Sequence, residues 1–228
     1  MTTAVACRWT DGVPPLGDQL LVVAPHPDDE VIAAAGLMTW CAAAGVPIRL
    51  VAVTDGEMSH ARSRCASPDE LRERRAVERL EALAVLDLHP SVERLGIADG
   101  YVAGRERELA DALADRAAVG VTLVAPWRRD RHADHEAAGR AAHDAARRTG
   151  ATLWEVPIWA KVAGTVDPGP GRRSHLVLDP DLAARKARAV ACFASQLAPL
   201  GPDPLDGPVV HPHELATLLD GHEAVLWR

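Results

Sequence analysis

The chain has 228 residues, a formal net charge of −7 and four widely scattered cysteines. That length suits one domain with a large core, and no composition shift or Gly/Ser-rich linker divides residues 1–228. The negative balance argues against a nucleic-acid binder, whose phosphate contacts need a basic surface.

Cys7, Cys41, Cys65 and Cys192 form no C-x-x-C pair, which fits reduced thiols in a cytoplasm. The N-terminus lacks a basic region followed by an apolar core, so no secretory signal is expected. No stretch is long enough to span a bilayer.

The first predicted element is the apolar run from Leu21 to Ala24, rich in Val and Leu as a strand buried on both faces should be. It runs into His26-Pro-Asp-Asp-Glu30, stiffened by Pro25 and Pro27 on either side of His26. Val31 to Gly45 is Ala-rich and predicted helical. His26, Asp28 and Asp29 therefore belong at the carboxyl end of a strand, where open α/β sheets place their ligands.

Pro47 to Thr54 reads as a second strand ending at Asp55-Gly-Glu57. Ser67-Pro-Asp-Glu70 has the form of a capping box with Pro at the first helical position, opening a helix to about Leu86. Its periodicity turns Leu71, Val77, Leu80, Leu83 and Leu86 inward and most of the Arg/Glu residues outward. A short strand over Val92–Ile97 and a charged helix over Arg105–Ala118 follow.

Val121 to Ala125 is another apolar strand, and it leads into Pro126-Trp-Arg-Arg-Asp-Arg-His-Ala-Asp-His-Glu136. Ala133 to Arg148 is predicted helical, Leu153–Trp159 and His175–Leu178 strands, Pro180–Leu197 one helix, and Glu223–Trp227 a closing strand. Repeated β-α order predicts a mostly parallel sheet covered by helices. His211-Pro-His213 reads as a plain loop, with a substrate lid as the alternative.

Two motifs carry chemistry. His26-x-x-Asp29 offers one imidazole and one carboxylate, and His132-x-x-His135 two more imidazoles. In a parallel sheet both loops lie on the same edge, so these groups can converge on one zinc ion with a position left for water. Adjacent carboxylates do not readily bind one metal together, so one of Asp28 and Asp29 can ligate while the other serves as general base.

The segment Ala-Pro-His-Pro-Asp-Asp-Glu, together with Thr54-Asp-Gly-Glu57 and Asp130-Arg-His-Ala-Asp-His135, resembles the LmbE-like, or PIG-L, zinc-dependent N-deacetylases. Arg75-x-x-Glu78 with Ala82-Leu83, and Lys186 leading to Ser195-Gln196, match weaker signatures of the same family. The resemblance spans about residue 20 to 200 and implies a three-layer, Rossmann-like α/β fold. It implies His26, Asp29 and His135 as metal ligands, Asp28 as general base, and His132 as the group that holds the oxyanion and protonates the leaving amine. Asp134 would then orient His132. Zinc is the expected metal, with Fe²⁺ also suited to such a site.

Two departures stand out. Ala133 replaces the usual proline between the histidines, and Asp130 stands where some relatives carry a tyrosine. Asp130 is expected to steer His132 or a neighbouring arginine. Asp130, Glu57, Trp127 and Arg128 are the candidates for gripping substrate, Trp127 by stacking on a sugar ring.

The expected activity is removal of an acyl group, acetyl first, from the nitrogen of an amino sugar or glycoconjugate. The alternatives are an amidase for a larger or non-sugar amide in thiol-conjugate or natural-product metabolism, and a non-catalytic metal-binding module. The partner is a small N-acylated molecule, with no membrane or nucleic acid. The resemblance also leaves room for a homo-oligomer.

Overall fold

The computed structural model describes residues 7–228. Its elements in chain order are β1 (Cys7–Thr10), β2 (Gln19–Ala24), α1 (Asp29–Ala43), β3 (Ile48–Ala52), α2 (Pro68–Val85), β4 (Ser91–Arg94), α3 (Glu106–Ala114) and β5 (Val121–Pro126). There follow α4 (Ala133–Thr149), β6 (Thr152–Val156), α5 (Trp159–Val162), β7 (Arg172–Leu178), α6 (Pro180–Val190), α7 (Ala194–Leu197), α8 (Pro212–Leu218) and β8 (His222–Trp227). The strands make one sheet in the order β1-β7-β8-β6-β5-β2-β3-β4.

The run β6-β5-β2-β3-β4 is parallel throughout, as the β-α alternation predicts. β8, β7 and β1 extend it in antiparallel fashion. Helices cover both faces. One core layer joins α1, α2 and α6 to the sheet, and the other is built from α3 and α4.

The chain winds from β2 outward through β3 and β4, then returns to place β5 on the opposite side of β2. The carboxyl ends of β2 and β5 therefore flank a topological switch point, the crevice where such sheets bind ligands. The loops that follow these two strands carry the two sequence motifs. No helix of the described residues is long and apolar enough to cross a membrane, and the four cysteines are unpaired.

Several expected elements change. The helix predicted over Pro180–Leu197 divides into α6 and α7, and the strand predicted over Leu153–Trp159 stops at Val156 before Trp159 opens α5. His211 is the N-cap of α8, where its backbone N–H donates to Glu214, and it lies with His213 in the solvent-exposed turn. Along α2, Leu71, Leu83 and Leu86 are buried as expected, but Val77 and Leu80 are 53% and 58% exposed. Their places on the inner face are taken by Arg75, Glu78 and Arg79. These charges are buried because each has a partner inside: Asp28, Ser195 and Glu30 respectively.

α1 shows the same device. Its backbone leaves helical geometry at Ala34, which frees the N–H groups of Gly36 and Leu37. Both donate to the carboxylate of Glu223 at 2.8 Å, and Lys186 neutralises that carboxylate at 2.7 Å. A side chain at residue 36 would strike Leu178 and press on Glu223, so glycine is needed there.

Candidate active site

β2 delivers its loop as a rigid turn. The carbonyl of Asp28 accepts from Val31 and Ile32 to start α1, yet its side chain makes no capping bond. Asp28 also holds φ at 142°, a conformation costly for any residue with a Cβ. A helix cap needs no such strain, and the Asp28 carboxylate does no capping, so it is not present merely to start a helix.

Three atoms from the two loops meet. Nδ1 of His26 lies 3.2 Å from Oδ2 of Asp29 and 3.3 Å from Nε2 of His135, and Nε2 of His135 lies 3.3 Å from that same Asp29 oxygen. Ligands about 2.0–2.1 Å from a tetrahedral zinc ion stand about 3.3–3.4 Å apart, so this triangle has the edges of one face of such a site. The donor set, two imidazole nitrogens and one carboxylate oxygen, also suits the ion.

The charges agree. Burial works against the charged forms of all three groups, but proximity outweighs it. Asp29 is held well below the usual carboxylate range, chiefly by His135, while His26 is held well above its ordinary value and His135 is raised to about 9. Without a metal, protons supply the positive charge that the carboxylates around the triangle demand. The residues fit a divalent cation.

The outward-facing nitrogens of both imidazoles are also fixed. Nδ1–H of His135 donates to Oδ2 of Asp130 at 2.8 Å, while Nε2 of His26 faces Oδ1 of Asp99 at 3.2 Å and Oδ2 of Asp134 at 3.4 Å. Asp134 is itself gripped by the N–H groups of Gly100 and Val102, and Asp130 by those of Ile158, Trp159 and Ala160. Such carboxylates fix the tautomer and orientation of a metal-binding imidazole.

Two expectations are corrected here. Asp134 orients His26 rather than His132, because it points across the crevice from the first turn of α4. Asp130 orients His135 rather than His132 or an arginine, and it is wholly buried, so it does not touch substrate.

His132 stands beside the triangle, its ring centre 5.0 Å from that of His26 and 4.7 Å from that of His135. Its Nδ1 is buried without a partner, and burial together with the charges of His135 and His26 pushes it below the ordinary histidine value.

Asp28 also lines this cavity. Burial pushes its carboxyl up to about 7 against the pull of the Arg75 guanidinium. Arg75 donates to Oδ2 of Asp28 at 3.2 Å and to the carbonyls of Pro27 and Gly56, approaching so closely that a Cβ on Gly56 would lie 2.1 Å from it.

The remaining substrate candidates fall elsewhere. Trp127 is buried against Ala160, Leu226 and Val166, so it belongs to the core. Arg128 pairs with Glu155 through two hydrogen bonds, outside the cavity. Glu57 accepts the N–H of Asp99 at 3.1 Å and supports that residue from behind. Asp99 itself reaches the wall, along with Ser59 and Gln196. Asp99, which the sequence also offers as a group able to grip a substrate hydroxyl, lies in the loop that follows β4.

The family model described as PIG-L, GlcNAc-PI de-N-acetylase, matches residues 21–146, more than half of the chain and both motifs. No curated protein sequence matches. Among solved structures, an A40926 pseudoaglycone deacetylase is similar at 20% identity and a TM-score of 0.70, over 92% of this chain and 96% of that one. A conserved protein of Thermus thermophilus is 29% identical over 84% of both chains, with a TM-score of 0.59. The N,N'-diacetylchitobiose deacetylase of Pyrococcus horikoshii is 21% identical over 83% of this chain and 73% of its own, with a TM-score of 0.62. The likeness to the two deacetylases is one of fold.

Proposed function

Because the chain belongs to the PIG-L, GlcNAc-PI de-N-acetylase family, we propose that it is a metal-dependent hydrolase that releases an acyl group from the amide nitrogen of an amino sugar or glycoconjugate. The observation that carries this reading is Asp28, a strained and buried carboxylate next to the triangle of His26, Asp29 and His135. A purely structural metal site, or a binding module, has no use for it.

His26 Nδ1, Asp29 Oδ2 and His135 Nε2 would hold the cation, zinc by donor set. When bound, the cation polarises an amide carbonyl and acidifies water. Asp28, poised near neutrality, accepts a proton from the attacking water as its oxygen bonds to the acyl carbon. His132 donates an N–H to the carbonyl oxygen as negative charge gathers there. The C–N bond then breaks, and Asp28 passes its proton to the departing nitrogen, leaving a carboxylic acid and a free amine. Arg75 keeps Asp28 aimed at the water and limits the rise of its pKa. Asp99 and Ser59 offer hydrogen bonds to hydroxyls of the amine half.

The test is Asp28→Ala in zinc-reconstituted protein, scored for free amine and carboxylate from N-acyl glucosamines. Metal content should be retained while turnover falls at least 10²-fold. Turnover near the parent rate would remove Asp28 from the mechanism.

A further inference from the structure

The cavity has a volume of about 380 Å³, and its two sides differ. Next to His26 it presents Asp99, followed by Ser59 and Gln196, whose side chains are hydrogen-bonded to each other. On the side tied to His135 through Asp130 it presents Ile158 and Trp159, which pack in one apolar cluster with Ile32, Val210 and Leu218, and the more exposed Val209. This second wall is fixed in place: the N–H groups of Val209 and Val210 both donate to the carbonyl of Gln196. Apart from the Trp159 indole, the side chains of Ile158, Trp159, Val210, Leu218 and Ile32 cannot bond a hydroxyl; the nearest that can is the Gln196 amide, whose residue holds Val209 and Val210. Towards solvent, Val209 remains 37% exposed and Met58, which also lines the cavity, 41%, apolar surface that a ligand would cover.

A sugar hydroxyl pressed against the apolar wall would lose its water and gain nothing. The hydroxylated amine half therefore belongs on the side of Asp99 and Ser59, and the acyl half faces the six apolar side chains. The methyl of an acetyl group would leave most of them unfilled. We propose that this wall is an acyl subsite, and that the substrate carries an aliphatic acyl chain longer than acetyl. The proposal rests on the amide-hydrolase reading above.

The test uses the full-length, zinc-loaded chain with glucosamine N-acylated by acetyl, butanoyl, hexanoyl and octanoyl groups. kcat/KM should rise roughly fourfold for each methylene that enters the subsite. Val209→Ser and Val210→Thr should each flatten that rise, with thermal melting showing that the fold is kept. A flat series, or one in which acetyl is best, overturns the proposal.

Calorimetric binding of the same series to Asp28→Ala separates the two ideas. Affinity that grows with chain length supports the subsite even if no amide is turned over, in which case only the hydrolase reading fails. Affinity independent of chain length rejects the subsite whatever the activity.

Discussion

His135 turns its Nδ1–H to Asp130 at 2.8 Å, and that carboxylate also accepts three backbone N–H groups from residues 158–160. One buried side chain thus fixes both a metal-facing imidazole and the start of the apolar wall. Asp130→Asn should weaken zinc binding by roughly 10–100-fold while the protein still folds. Asp130→Ala should in addition lower stability by roughly 2–4 kcal/mol, because the three N–H groups lose their acceptor. Competition with a chromophoric chelator and thermal melting measure the two effects.

Arg75 opposes the rise of Asp28 towards neutrality. The base acts when ionised, so activity climbs with pH through the Asp28 titration. Replacing Arg75 by Gln removes the positive charge and should move the acid limb of kcat/KM to higher pH, with a loss of rate at pH 6 larger than that at pH 8. A pH profile of parent and variant checks this, and an acid limb that stays in place contradicts it.

His135 is raised to about 9 in the metal-free chain, against an ordinary value of 6.5. The proton it holds stabilises the folded metal-free protein fully below about pH 6.5, and that stability is lost as pH rises through about 9. A cation must displace this proton and the one on His26, which is also held well above its ordinary value, so zinc affinity should rise by at least about tenfold per pH unit over this window. Melting of the chelator-treated protein should fall, and zinc affinity should rise, between pH 6.5 and 9.

Lys186 and Glu223 form a buried pair, and neither lines the active-site cavity. Lys186→Ala would leave the carboxylate buried and uncompensated, at a cost of roughly 3–5 kcal/mol measured by denaturant unfolding. Glu223→Gln leaves the buried Lys186 ammonium without its counter-charge and can accept only one of the N–H groups of Gly36 and Leu37, so it should cost about as much.

Arg128 and Trp127 lie outside the cavity wall. Arg128→Ala should leave KM within about twofold of the parent value, and Trp127→Leu should lower the melting temperature before it alters KM. A large rise in KM for Arg128→Ala would return it to the substrate site.

The convergence of His26, Asp29 and His135 was legible because parallel strands end on one edge and each motif follows a strand. What the spacing could not tell was which carboxylate serves which imidazole. Asp130 and Asp134 flank His132 in the sequence, yet one reaches His135 and the other His26, a matter of side-chain direction in the loop before α4 and in its first turn. Periodicity also misplaced Val77 and Leu80, because α2 turns its charged stripe towards buried partners contributed by α1 and α7. The divided helix after Pro180 has the same origin, since Glu78 captures both the N–H and the hydroxyl of Ser195 at the start of α7. β1 carries only four residues at a sheet edge, too short for alternation to register.

The most direct measurement is the zinc content of purified, zinc-reconstituted chains by elemental mass spectrometry. One ion per chain is expected in the parent and in Asp28→Ala, and close to none in His26→Ala and His135→Ala. Full zinc occupancy in His135→Ala, or none in the parent, would contradict the site on which the proposed chemistry is built.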